Sequence, residues 1–130
     1  MVFVSPHHAE RLEEAAAAVQ ECFSPRVLLG CTGEGIIGAE QEMERQPAVT
    51  VWAARLPGVT LTPFHVSFRH SGDGIEVAGW PDHLPQDPTP AFVLLAEPFS
   101  TPGTEFLAFL DDRCPGAPAV GGMASGGRAP

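Results

Sequence analysis

An α/β fold is predicted for this 130-residue chain: a mixed β-sheet built from β-α-β units at both ends, an inserted antiparallel hairpin, and helices packed on the sheet. Three patterns carry that prediction. Apolar runs flank a helical period near the start, the same order returns near the end, and alternating apolar residues surround "LPG" in between.

The first unit opens with Val2 to Val4 as a strand. Ser5 suits a helix cap, with Pro6 at the first helical position. Leu12, Ala16, Val19 and Phe23 then recur at helical spacing until Ser24-Pro25 ends the helix. Arg26 to Gly30 form a continuous apolar run, as expected of a strand covered on both faces, and a right-handed β-α-β unit results. "IIGAEQEMERQ" has the length of a short helix but no apolar stripe. Val49 to Arg55 and Val59 to Arg69 read as a hairpin, with Pro57 and Gly58 placed for a type II turn. "HSGDG" turns into a short strand at Ile75 to Ala78, and "GWPDHLPQDPTP", with four prolines, must be a loop. A buried strand "AFVLLAE", a helix "STPGTEFLAFLDD" capped at Thr101 and a last strand "PAVGG" complete the second unit.

Composition narrows the function classes. The chain carries a formal net charge of −9 and contains no Lys, which speaks against nucleic acid or an anionic membrane as partner. Walker, Schiff-base and general-base lysines fall with it. No apolar run approaches a membrane span and no signal-peptide pattern opens the chain, so the expected location is cytoplasmic. Cys22, Cys31 and Cys114 are odd in number, widely spaced and suited to reduced thiols, and no cofactor or metal set is indicated.

The candidate chemistry lies where apolar strands end. "VLLGCTGEGIIG" contains Gly33-x-Gly35-x-x-Gly38, "LLAEPFS" has Pro98 in place of a glycine, and "AVGGMASGG" closes the set. Glycines at strand ends let backbone approach a ligand and expose N–H groups, although tight turns alone also explain them. Two enzyme alternatives use residues 30 to 38. A dinucleotide site needs its glycines to open a helix and an acid about twenty residues on, where this chain has Arg55 instead. A Cys31 nucleophile needs a base, with His65, His70 and His83 as unplaced options. Glu34, Glu40, Glu42 and Glu44 form an acidic cluster that is a solvated face by default, with Glu34 or Glu42 as the sharper option of a partner for a ligand amine.

Taken together, "VLLGCTGEGIIG", "QEMERQPAVTVWAARLPGV", "PFHVSF", "LLAEPFS" and "GMASGG" resemble the N-terminal module of FIST domains, in the same order. The resemblance implies a non-catalytic sensory module of signal transduction that binds a small, amino-acid-like ligand. It also implies a partial copy, 1–130 forming one incomplete domain, with a C-terminal FIST module or signalling output domain as partner. The matching blocks put Gly30, Cys31, Gly33, Gly35 and Glu42, then Ser100, Gly121, Gly122, Ser125 and Gly126, at the implied site; Glu34 and Glu97 are added as carboxylates for a cationic group, Glu97 standing where the family often has Asp.

Overall fold

The computed structural model describes residues 1–127 apart from Asp73 and Gln86, so Asp73 of the expected "HSGDG" turn and Gln86 of the proline-rich loop lie outside the described residues. The chain divides into two compact units, Met1–Thr62 with Ala124–Pro130, and Pro63–Met123. The strands and two helices make an α/β fold, and among the described residues the strands fall into four sheets, the three-stranded one mixed.

In the first unit, strand β1 (Val2–Val4) leads through a 3-10 turn over Pro6–Arg11 into helix α1 (Leu12–Phe23) and then β2 (Gly30–Thr32), which pairs parallel to β1. The expected β-α-β unit is present, but its second strand starts only at Gly30, and Arg26 to Leu29 carry no ladder. Val2, Val4 and Val19 form the buried cluster, with Leu12, Ala15 and Leu28 packed against it. Full burial of each such side chain contributes on the order of 1.5–3 kcal/mol. The helix ends where Ser24 adopts a left-handed conformation, φ 45°, and its N–H donates to the Gln20 carbonyl.

Ser5 does not cap the helix with its side chain. Its backbone carbonyl accepts from His8 N–H, while its hydroxyl, 1% exposed, accepts from Ala48 N–H at 3.0 Å. That bond helps hold β5 (Val49–Val51) beside β1, antiparallel, so the three-stranded sheet runs β2-β1-β5.

The glycine motif opens a hairpin, not a helix. Strands β3 (Gly35–Gly38) and β4 (Gln41–Glu44) pair antiparallel around Ala39 and Glu40, whose φ values of 49° and 63° are those of a type I′ turn. Alternation buries Ile36 and leaves Ile37 exposed. The expected 49–55/59–69 hairpin is not made. Its turn exists, with Gly58 at φ 77° and Val59 N–H donating to the Leu56 carbonyl, but residues 52–66 carry no strand.

In the second unit, β6 (Ser67–Ser71) and β7 (Gly74–Ala78) form an antiparallel pair. Strand β8 (Phe92–Ala96), helix α2 (Gly103–Arg113) and β9 (Ala119–Met123) form a second β-α-β unit with parallel strands. Phe92, Leu110 and Cys114 are its buried centre, surrounded by Phe64, Trp80, Leu84 and Leu94. Trp80 meets Phe64 edge-on at 5.5 Å and Phe109 at 5.2 Å between ring centroids, geometries favoured by the aromatic quadrupole.

Replacing Ser5 by Ala removes the acceptor for a buried N–H. The expected loss is about 1–3 kcal/mol of unfolding free energy, read from the urea midpoint at unchanged slope.

Candidate functional site

The first unit brings two distant glycine segments into contact. Glu34 N–H donates to Ser125 Oγ at 2.9 Å, across 91 positions of sequence. Beside it, a Cβ at Gly126 would lie 2.7 Å from Thr32 Cβ and 3.0 Å from Gly33 N, so the backbones touch as no other residue type permits. Gly33 N–H donates to the Val4 carbonyl at 2.9 Å, which fixes the loop to the end of β1. These two amides, at Gly33 and Glu34, therefore already have protein acceptors. The carboxylates of Glu34 and Glu42 are exposed, and Glu42 Oε1 lies near Gly35, 3.9 Å from where its Cβ would stand. Gly30, Cys31, Gly33, Glu34, Gly35, Glu42, Ser125 and Gly126 thus share one unit.

Glu97, Ser100, Gly121 and Gly122 belong to the other unit. Glu97 follows β8 and closes a local turn: its Oε2 accepts from Ser100 N–H at 2.7 Å. The Phe99 backbone N–H and then the Ser100 hydroxyl hold its carboxyl below its ordinary value of 4.5. Gly121 and Gly122 lie in β9 opposite Leu94 and Leu95, and a Cβ on Gly121 would collide with the Leu94 carbonyl.

Neither enzyme alternative gains support from this geometry. A pyrophosphate turn requires helix N–H groups after the glycines, and here Gly35 to Gly38 form a strand. Burial pushes the Cys31 thiol up from its ordinary value, the reverse of what an activated nucleophile needs. Among the described residues, no three His, Cys, Asp or Glu side chains converge as metal ligands, and no helix is long and apolar enough to cross a membrane.

A different constellation appears within the second unit. A cavity of about 450 Å³ is lined by Val77, Trp80, Pro81, Asp82, His83, Leu84, Arg113 and Cys114. The Arg113 guanidinium lies over the Phe109 ring, 5.0 Å from its centroid, and makes no ion pair among the described residues. Trp80 and Leu84 also belong to the aromatic core, so one wall is rigidly packed. From sequence, "GWPDHLPQDPTP" reads only as a loop. The signal it does carry is a Trp, an Asp and a His on a proline-stiffened connection, the kind of segment on which binding groups concentrate.

Strands and helices of this arrangement make an α/β fold, with the glycine segments in contact in the first unit and a cavity in the second. The FIST N domain model matches residues 1–130, and the chain belongs to the FIST family, whose domains are sensory modules of signal transduction. Similar proteins include an uncharacterized protein of Mycobacterium tuberculosis strain H37Rv, 35% identical over 125 residues, 95% of this chain and 31% of the relative. An uncharacterized protein of Mycobacterium bovis is 31% identical over 122 residues, 93% of this chain and 30% of the relative. The chain therefore spans about a third of the length of these curated relatives. No solved structure matches.

Two outcomes are expected from this geometry. Gly126→Ala should lower the melting temperature in a thermal scan, because Thr32 and the Gly33 backbone must move apart to admit the methyl group. The Glu97 carboxyl, depressed in the folded chain, contributes stability that is fully present above its ordinary value of 4.5 and is lost as pH falls through the lower folded value. Glu97→Gln should therefore flatten the melting-temperature–pH profile by lowering its neutral part, leaving the acid end little changed.

Proposed function

We propose that this chain is the small-ligand-sensing part of a cytoplasmic signalling protein and that it takes a small zwitterion of amino-acid type. The observation that carries the reading is the open, mostly polar cavity whose lining brings together Arg113, which makes no ion pair among the described residues, with Asp82, Trp80 and Leu84. Arg113 is suited to a ligand carboxylate through paired N–H donors, and Asp82 to an ammonium group. Trp80 and Leu84 offer apolar contact to the ligand body. The volume lies within the range of small-molecule sites. Binding signals only if the ligand favours one arrangement of the chain and its output partner over another, and that partner is proposed to be a C-terminal FIST module or a signalling output domain.

A second reading places the ligand on the glycine surface of the first unit, with Glu34 or Glu42 holding its cationic end. The Glu34–Ser125 hydrogen bond favours it, since this bond gives the surface a defined shape. On this reading Gly30, Cys31, Gly35 and Gly126 supply close backbone contacts, and Glu97, Ser100, Gly121 and Gly122, which belong to the other unit, take no part.

Thermal-shift and calorimetric titration with a panel of free amino acids separates the readings. A ligand at about a hundredfold its dissociation constant stabilises by roughly 2.7 kcal/mol. Arg113→Gln should weaken that ligand about tenfold or more, while Glu34→Gln with Glu42→Gln leaves it unchanged. The reverse pattern selects the glycine surface, and no response from any amino acid removes both.

A further inference from the structure

The cavity of the second unit is lined by one ionisable side chain that a plain zwitterion leaves unused. His83 lines it together with Asp82, on the same loop, and Arg113, at the end of α2. All three are exposed, and none makes an ion pair among the described residues. The Cys114 thiol, which is buried, lines it too, and the other lining residues carry no ionisable group. The loop holds its two groups in place. Trp80 before them and Leu84 after them both pack against the buried cluster of Phe92, Leu110 and Cys114. Pro81 and Pro85 fix their own φ on either side, which limits the backbone freedom lost when a ligand is held.

An imidazole changes its charge between about pH 5 and 8, while a guanidinium and a carboxylate keep theirs. The lining therefore has two charge states. With His83 neutral it offers one cation and one anion, the complement of a neutral amino acid. With His83 protonated it offers two cations and one anion, the complement of a ligand with two carboxylates and one ammonium group. We infer that the cavity selects a dicarboxylic amino acid over a neutral one in mildly acid solution and loses that preference in mildly alkaline solution, through the charge on His83. The inference rests on the amino-acid reading of this cavity. Arg113 takes the main carboxylate, Asp82 the ammonium group and His83 the side-chain carboxylate. Like charges disfavour a second cation beside Arg113 in the empty cavity, and an arriving carboxylate favours it. Binding of a dicarboxylic amino acid is therefore coupled to proton uptake, whereas binding of a neutral one is not.

Calorimetric titration with L-glutamate and L-glutamine, which differ in one charge at nearly equal size, tests this at about pH 5.5 and about pH 8. Glutamate is expected to bind about tenfold more tightly than glutamine at the lower pH and about equally at the higher, since one charge-assisted hydrogen bond separates them. Repeating the lower-pH titrations in two buffers of different ionisation enthalpy should show proton uptake with glutamate alone. His83→Asn should bring the two affinities together at both pH values, whereas His83→Arg should keep the preference for glutamate at both. Retained glutamine binding shows that the cavity of each variant is intact. Equal affinities at both pH values in the unaltered chain, a preference that survives His83→Asn, or binding of some other amino acid but neither of these overturns the inference and leaves the amino-acid reading standing. Absence of binding by every amino acid at both pH values removes that reading, and the inference with it.

Discussion

Strand β1 is the member on which the first unit depends. It is only three residues long, yet it pairs with β2 on one side and β5 on the other and sends Val2 and Val4 under α1. A strand this short holds its place by burial more than by its ladder. Two further bonds anchor neighbouring segments to its C-terminal end: the Ser5 hydroxyl receives the Ala48 N–H, and the Val4 carbonyl receives the Gly33 N–H. Through them, one apolar triplet positions the edge strand and the glycine segment together.

The glycine segments are consequently structural before they are anything else. Gly126 sits against Thr32 and Gly33 because a side chain there would push the segments apart, and Ser125 uses its hydroxyl on the Glu34 amide. Backbone so closely packed is well placed to transmit a small displacement, since packed contacts shift between discrete arrangements instead of deforming smoothly. Glycine density alone did not say which amides would remain open.

Electrostatics give the same division of labour. Most carboxylates of this acidic chain are solvated, while Glu97 is engaged by its own turn and Glu14 by Arg11. The Arg11–Glu14 pair is exposed on both sides, so it adds little to stability. Arg113 differs from Arg11 in having an aromatic face beneath it and a cavity beside it. A guanidinium over a ring keeps its N–H edge available for a planar anionic group.

Much of the architecture was legible in short-range pattern. Both β-α-β units, the end of α1, the Leu56–Val59 turn and the family itself followed from period, breakers and ordered motifs, because those signals depend on neighbours a few residues apart; the expected start of α1 at Pro6 did not, since Pro6–Arg11 is a 3-10 helix and α1 begins at Leu12. Other features were not legible. Ala39-Glu40 gives no sign of a type I′ turn, as neither residue prefers positive φ, so the β3–β4 hairpin looked helical. Ser5 resembled a cap because its true partner, Ala48, lies 43 residues away. The sequence by itself determined which segments could bury an apolar face. Only tertiary structure decided which strands became neighbours and which polar groups met, because those outcomes rest on contacts between residues far apart in the chain, such as Glu34 with Ser125, that no local pattern encodes.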